Sequence, residues 1–511
     1  MSVKKINVPL NRVEGDLEIN VELDGGVVKD AWSSGTMFRG IENILRGRGA
    51  LDGLVITPRI CGLCSTTHLA AAAAALDMIC GSDVPDNARR VRNVALMSEH
   101  IQSDIRHGFL MFAVDFTNPA YKGHSLYDEA VRRYAPLKGR TALETIAETK
   151  RVLEIIAILG GQWPHSSFMV PGGVVTLPGA GDVLQCKTLL MNYRKWYENR
   201  VLGCSIERWL DIKSGAGLDA WLDESESHRE SEIGFYIRFS REAGLDRNGA
   251  GHGNFLSYGS LDMPRETSVK AGGGDRLVPA GYAVGTNVMG FDQEKISEHV
   301  AHSWFRDYEG GRHPFSGSTM PYASGNEGGK YSWAKAPRYD GQPAETGPLA
   351  EMVVAKDPLF TDLVKHGGPN VFVRELARLA RPATLMPAME VWLGEVATSG
   401  GSFYNPPGEI PDGEGFGLIE ATRGALGHWV KIKDSKIEHY QVVTPTSWHA
   451  SPRDSAGVRG PFEEALIGVE VKDTDNPVEL GHVIRSHDAC LVCTVHAIDA
   501  VDGTGLIKLV V

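Results

Sequence analysis

Four of the seven cysteines fall into two Cys-x-x-Cys pairs, Cys61/Cys64 and Cys490/Cys493, near opposite ends of a 511-residue chain. A tight turn points both side chains of such a pair the same way, so each pair can bite one metal ion. Together they offer four thiolates, a set suited to zinc, iron–sulfur chemistry or another soft-ligand metal, and they tie both ends of the chain to one place. Each pair stands in a patterned context: Arg59-Ile60-Cys61-Gly62-Leu63-Cys64, and Asp488-Ala489-Cys490-Leu491-Val492-Cys493-Thr494-Val495-His496. Cys80, Cys186 and Cys204 follow no pattern and read as buried apolar thiols. Seven cysteines in a chain this long do not make a disulfide scaffold.

Hydrophobic (42%) and charged (23%) fractions are those of a globular chain with ample material for a core. The balance of 64 acidic against 52 basic residues gives −12, which argues against nucleic acid or an anionic membrane surface as the main partner. Met1–Ile6 carries no apolar run of the signal-peptide kind, and no run of about 18 apolar residues is present to span a bilayer. The expected setting is reduced and cytoplasmic, with any association with the inner face of the membrane made through partners.

The expected fold class is α+β: a large helical-bundle core with peripheral antiparallel β-sheets and long irregular loops. One catalytic domain is expected over 1–496, followed by a tail, 497–511. Leu17, Ile19, Val21 and Leu23 alternate with polar residues before Gly25-Gly26, which predicts an antiparallel hairpin in the β-rich segment 1–32. Apolar spacing predicts helices within 38–49, after Cys64, over 87–117, 141–161 and 182–212, and from Val371 to Ala380. The helical core thus covers about 40–212 and 348–400, and the C-terminal motif region, with its strands, covers 415–496. Residues 213–345 are rich in Gly, Ser, Asp and aromatics and read as irregular β structure and loops. Cys64 would stand at a helix start, whose positive end favours a thiolate. His100, Asp104 and His107 share one helix stripe; such a set is more often a polar seam in a bundle than a separate metal site.

The two cysteine motifs resemble those of the nickel–iron hydrogenase large (catalytic) subunit. So do Asn11-Arg12-Val13-Glu14-Gly15, Phe38-Arg39-Gly40-Ile41-Glu42, Arg423-Gly424-Ala425-Leu426-Gly427-His428-Trp429 and Thr444-Pro445-Thr446-Ser447-Trp448, all in the family's order. The likeness spans essentially the whole chain. It implies a Ni–Fe(CN)2(CO) centre with nickel on Cys61, Cys64, Cys490 and Cys493, of which Cys64 and Cys493 would bridge to iron. It implies Glu14 as the proton relay, Arg423 over the open site with a bond to one cyanide, and Thr446, beside Pro445, on the second cyanide. Asp115, as an acid near the active-site Arg423, and Asp488, ahead of Cys490, complete the implied catalytic set. Glu42 and His496 resemble the ligands of a second metal, usually Mg2+. Asp16 stands where the family often has His, and Thr422 and Ala489 where it usually has Pro.

The implied activity is heterolytic oxidation of H2 by an uptake hydrogenase. This chain carries no further cysteine cluster, so electrons would leave through an iron–sulfur small subunit in a heterodimer or higher oligomer. Nickel-insertion proteins and a maturation protease, cutting between His496 and Ala497, are the other implied partners. SHDACLVCTVHAIDA and the HIQSD helix resemble the uptake-type enzymes of cyanobacteria and actinobacteria. Three rival readings compete. A structural four-cysteine zinc protein would give Glu14 and Arg423 no role. The quinone-site subunit of respiratory NADH–quinone oxidoreductase shares the fold but lacks the four cysteines. A regulatory H2-sensing large subunit keeps the metal site but typically ends at the final His, whereas this sequence runs on from Ala497 to Val511.

Overall fold

The computed structural model describes residues 4–398 and 400–494. The chain opens with a three-stranded antiparallel sheet, β1 (Lys4–Pro9), β2 (Leu17–Asp24) and β3 (Val27–Gly35), in that order. Leu17, Ile19, Val21 and Leu23 are buried while the polar residues between them stay partly exposed, as the alternation predicts. Gly25 and Gly26 turn β2 into β3 with φ of 62° and 89°, the positive values that a tight hairpin turn demands.

Helix α1 (Ser65–Cys80) starts directly after Cys64. Its alanines, 70–75, let it lie against the first strand of a second antiparallel sheet, β4 (Gly413–Ala421), β5 (Gly424–Lys433) and β6 (Lys436–Val443). The approach is backbone-close. A Cβ on Gly417 would sit 1.9 Å from the Ala71 carbonyl oxygen, and one on Gly415 2.4 Å from that of Ala75.

The centre is a bundle of α2 (Asp86–Arg106), α3 (Arg140–Gly160), α4 (Ala180–Trp196) and α5 (Val371–Thr398). Helices α2 and α4 each pack on both α3 and α5. One continuous apolar core joins this bundle to α1 and the N-terminal sheet, and it includes Cys61, Cys64 and Cys490. A smaller core around Tyr258, Trp429 and Trp448 lies beneath the second sheet. The α+β expectation holds: helices form the core, and five small antiparallel sheets surround it among the described residues.

Three local expectations differ. Residues 87–117 are helical throughout but not one regular helix, because α2 passes into a π-helical turn at His107–Phe112 and a 3-10 turn at Ala113–Thr117. Helix α5 runs well past Ala380, through Pro382 and Pro387. A buried helix is held by its packing, and beside the first proline the Tyr197 hydroxyl donates to the Leu379 carbonyl at 2.7 Å, a side chain entering the ladder. The start of 213–345 is helical, with helices at Gly215–Glu224, Glu226–Glu230 and Glu232–Ala243. Ser214, Ser225 and Ser231 cap them, so serines read as loop formers act as helix starts. Cys186 is buried as expected, whereas Cys80 and Cys204 are partly exposed.

Candidate metal centre

The loop between β1 and β2 packs half-buried against the core and meets the chain end. The Glu14 amide donates to the Ala489 carbonyl at 3.3 Å, and the Leu491 and Val492 amides donate to the Glu14 carbonyl at 2.5 and 3.3 Å. Gly15 permits this contact: its φ is +84°, and a Cβ there would lie 2.9 Å from the Val492 nitrogen. Arg39 ties the two cysteine motifs together, its guanidinium donating to the carbonyls of Ile60 and Val492.

The sulfurs of Cys61 and Cys490 lie 3.7 Å apart, deep in the core. Two sulfurs each about 2.3 Å from one tetrahedral ion lie about 3.8 Å apart, so this separation fits a shared metal. Cys64 is buried too. The side chain of Cys493 and all of His496 lie outside the described residues. Among the described residues no three His, Cys, Asp or Glu side chains suffice to hold an ion without them.

Arg423, at the β4–β5 turn, is buried and donates through Nε to Asp488 Oδ1 at 2.9 Å. Burial would strip its charge, but Asp488 and the thiol groups of Cys490, Cys64 and Cys61 hold its proton firmly. Asp488 also meets His107 Nδ1 at 3.0 Å and Arg378 Nη1 at 3.2 Å. Burial alone would raise its carboxyl; Arg423, His107 and Arg378 outweigh that and keep it ionised far below the usual carboxylate range. The Glu14 carboxyl moves the other way. Burial pushes it up, the negative charges of Cys61 and Asp488 add to that, and Arg423 offsets only part. Thr446, behind Pro445 on the helix Pro445–His449, accepts the Cys490 amide on Oγ1 at 2.9 Å.

Glu42 lines a separate small cavity of about 20 Å3 with Glu298, Thr319, Lys335 and Gln441. One Glu42 oxygen accepts the Val442 amide at 2.9 Å and the other the Thr319 hydroxyl. Glu298 is fully buried and pushed up to about 7 by burial and by Glu42, which Lys335 only partly counters. Two carboxylates around one ammonium, with room for about one water-sized particle, fit a small hard cation.

Asp115 is not at Arg423. One of its oxygens accepts from Arg12 and the other from Arg485 Nη1 at 2.5 Å, so the acid bonded to Arg423 is Asp488. Nor does the start of α1 serve the Cys64 thiolate alone. Glu99 takes the amides of Thr66 and Thr67 at 2.9 and 3.0 Å, a carboxylate already seated on the helix end. The polar-seam reading of α2 is what the structure shows, with Asp104 accepting from Arg381 at 2.7 and 2.8 Å. Sequence reasoning missed Arg378 and Arg381, although Arg374, Arg378 and Arg381 recur at helical spacing in a stretch that is apolar but for Glu375. It also missed Glu298 and Lys335, which no short-range pattern links to Glu42.

The fold and site bring cysteine sulfurs from both ends of one chain together in its core. The sequence profile described as nickel-dependent hydrogenase matches residues 39–124 and 239–496, and the chain belongs to that family. The periplasmic [NiFeSe] hydrogenase large subunit of Desulfomicrobium baculatum is 36% identical, over 98% of this chain and 96% of its own length. The uptake hydrogenase large subunit of Rhodobacter capsulatus is 29% identical, over 96% and 95%. The reduced Ni-Fe-Se hydrogenase from D. vulgaris Hildenborough superposes with a TM-score of 0.81 at 31% identity, covering 97% of this chain and 100% of that one. This protein is accordingly a large catalytic subunit, an oxidoreductase acting on H2 at a nickel–iron centre.

Proposed function

We propose that this subunit oxidises H2 to protons and electrons at a Ni–Fe(CN)2(CO) centre on Cys61, Cys64, Cys490 and Cys493, and passes the electrons to an iron–sulfur small subunit. The observation that carries this reading is the pair of Cys61 and Cys490 sulfurs, 3.7 Å apart, with Arg423 kept charged close by. When bound, the centre supplies the soft-ligand redox chemistry that cleaves H2 heterolytically. The chain's own residues do the rest. Arg423 presents a planar fork that orients a diatomic ligand, and Asp488 fixes that fork in place. Thr446 accepts the Cys490 amide and so keeps its own proton to donate to a second diatomic. Glu14, its carboxyl raised by burial and its backbone pinned beside Cys490, accepts and passes on the proton. Glu42, with His496, holds Mg2+.

Several finer assignments rest on the same reading. The relatives named above are large subunits, and the cysteines here form no second cluster to carry electrons onward; both facts support a separate small subunit. All four motif positions are cysteine, which supports sulfur rather than selenium at nickel. The uptake direction is supported by the Rhodobacter capsulatus relative, and the cyanobacterial–actinobacterial grouping by the SHDACLVCTVHAIDA and HIQSD segments. Among the described residues no helix is long and apolar enough to cross a membrane. Cytoplasmic placement is open to test by fractionation, since one relative is named periplasmic. Maturation is assigned as nickel insertion followed by cleavage after His496, read by intact mass.

The test is H2-dependent reduction of a low-potential dye by the purified complex. Sustained turnover with nickel present is expected. Nickel with only trace turnover would make the chain a sensor subunit, and zinc with no nickel would end both readings.

A further inference from the structure

Residues 10–16 form the tip of the loop between β1 and β2, closed at its base by the Leu10 amide donating to the Leu17 carbonyl at 3.0 Å. Loop tips are mobile by default, yet this one holds the half-buried Glu14 against the chain end. Its far side is sewn to Ala489–Val492 by backbone bonds. Its near side is gripped by side chains. Arg485, on the helix α6 (Val478–Ser486), donates to the Asn11 carbonyl from Nε and Nη2 at 3.2 and 2.9 Å and to Asn11 Oδ1 at 2.8 Å. Its remaining arm, Nη1, reaches Asp115 Oδ2 at 2.5 Å. The other Asp115 oxygen accepts from Arg12, whose Nη1 donates to the Met111 carbonyl at 2.7 Å. Arg12 itself sits at a φ of 55°, a left-handed backbone for a non-glycine residue, which the surrounding bonds must sustain.

We infer that Arg485, Asp115 and Arg12 form a clasp that positions Glu14 against Cys490 and Arg423, and that proton transfer depends on it. The inference rests on the proton-carrying role proposed above for Glu14. Asp115 is a positioning residue here, not a relay. Arg485, His482 and Arg12 together keep its carboxyl below the usual range in spite of burial, so it stays ionised. One flank of the clasp is dry: His482, one turn earlier on α6, sits with ring centroids 5.1, 5.7 and 5.9 Å from Phe112, Phe116 and Tyr121. The other flank opens on a cavity of about 330 Å3 lined by Asn11, Arg12, Asp115 and Arg485. Arg485 spans the clasp with Nε and Nη2 on Asn11 and Nη1 on Asp115, a spread of donors that a lysine would not supply.

The experiment uses the purified, nickel-loaded complex and four variants: Arg485→Met, Arg485→Lys, Asp115→Asn and Glu14→Gln. Exchange between D2 and solvent protons is measured beside nickel content, infrared bands, KM for H2 and amide exchange of the peptides spanning 11–15 and 489–492. Loss of the clasp lets the loop shift by about 1 Å, which can cost on the order of 100-fold in rate. The expected result for Arg485→Met and Asp115→Asn is therefore a fall of about 10- to 100-fold in isotope exchange. Nickel, infrared bands and KM should be unchanged and amide exchange faster in both peptides, with Arg485→Lys intermediate. Wild-type isotope exchange in nickel-loaded Asp115→Asn, or losses that merely track lost nickel, would overturn the clasp. Asp115→Asn keeps the side-chain volume and carries the test if Arg485→Met does not fold. Normal exchange in Glu14→Gln would instead sink the proton role; the clasp then stands or falls on whether the amides of 11–15 and 489–492 are loosened.

Discussion

Two buried acidic corners flank this centre, and they are solved in opposite ways. Asp488 is met by Arg423, His107 and Arg378 at 2.9, 3.0 and 3.2 Å, and its carboxyl is held far below the ordinary range. Among the described residues Glu298 pairs with one cation, Lys335 at 3.8 Å, takes a hydrogen bond from Gln441, shares its pocket with Glu42, and is pushed up to about 7. Both carboxyls are buried, and burial pushes each of them up. What differs is the supply of positive charge. The Asp488 corner draws its three partners from the chain itself, and its carboxylate orients Arg423. The Glu42–Glu298 pocket carries surplus negative charge around a small cavity, the arrangement of a site completed by a cation.

The largest break in this contrast comes from Asp488→Leu. It leaves Arg423 buried without the Asp488 carboxylate and takes one of three carboxylates from Arg378, and breaking a buried pair costs about 3–5 kcal/mol. Denaturant unfolding of the metal-free protein should show that loss; a change near zero would mean that water already relieves the corner. Glu298→Gln is the mirror case and should split two readouts. Magnesium affinity is expected to fall about 10- to 100-fold, as for an outer partner of a metal ligand. Stability of the magnesium-free protein should hold or rise, because a surplus carboxylate has gone. Falls in both would show the pocket to be balanced as it stands.

The smallest effect concerns a carboxylate remote from the cysteine motifs. Glu463 is fully buried, accepts from the Ser33 amide and the Tyr331 hydroxyl, and is pushed up to about 7 by burial, which those bonds and Arg453 only partly oppose. A carboxyl whose folded value is raised binds its proton more tightly in the folded state. Its contribution is therefore complete below about pH 4.5 and is lost as pH rises through about 7, amounting to about 1–3 kcal/mol. Unfolding free energy should decline over that window, and Glu463→Gln should flatten the slope. An unchanged slope in the variant would assign it to another group.

Much of this was legible in the sequence because the chemistry depends on a few residue types at short spacing. The two motifs suggest that the chain ends come together, and the Cys61 and Cys490 sulfurs do lie 3.7 Å apart, with the Glu14 backbone bonded beside Cys490. The period-2 pattern of β2 and the Gly25-Gly26 turn read correctly for the same reason. What failed to read depends on long-range packing. Asp115 sits in a helix-end context that looks the same whether its partner is Arg423 or Arg12 and Arg485. Pro382 predicts a helix end by its own chemistry, and only the bundle around α5 overrides it. The serines at 214, 225 and 231 are as apt for loops as for caps, and the buried faces of the helices after them decide. Glu298 stands far along the sequence from Glu42 although the two line one cavity, so no local signal pairs them.

The central claim is that both ends of the chain hold one nickel–iron centre through cysteine. The most direct measurement is nickel and iron content, with the infrared spectrum, of the purified complex and of its Cys490→Ser variant. The account predicts stoichiometric nickel with carbon monoxide and cyanide bands in the wild type, and loss of nickel in the variant because a hard alkoxide replaces a soft thiolate. Zinc in place of nickel, or full nickel and unchanged bands in Cys490→Ser, would contradict it.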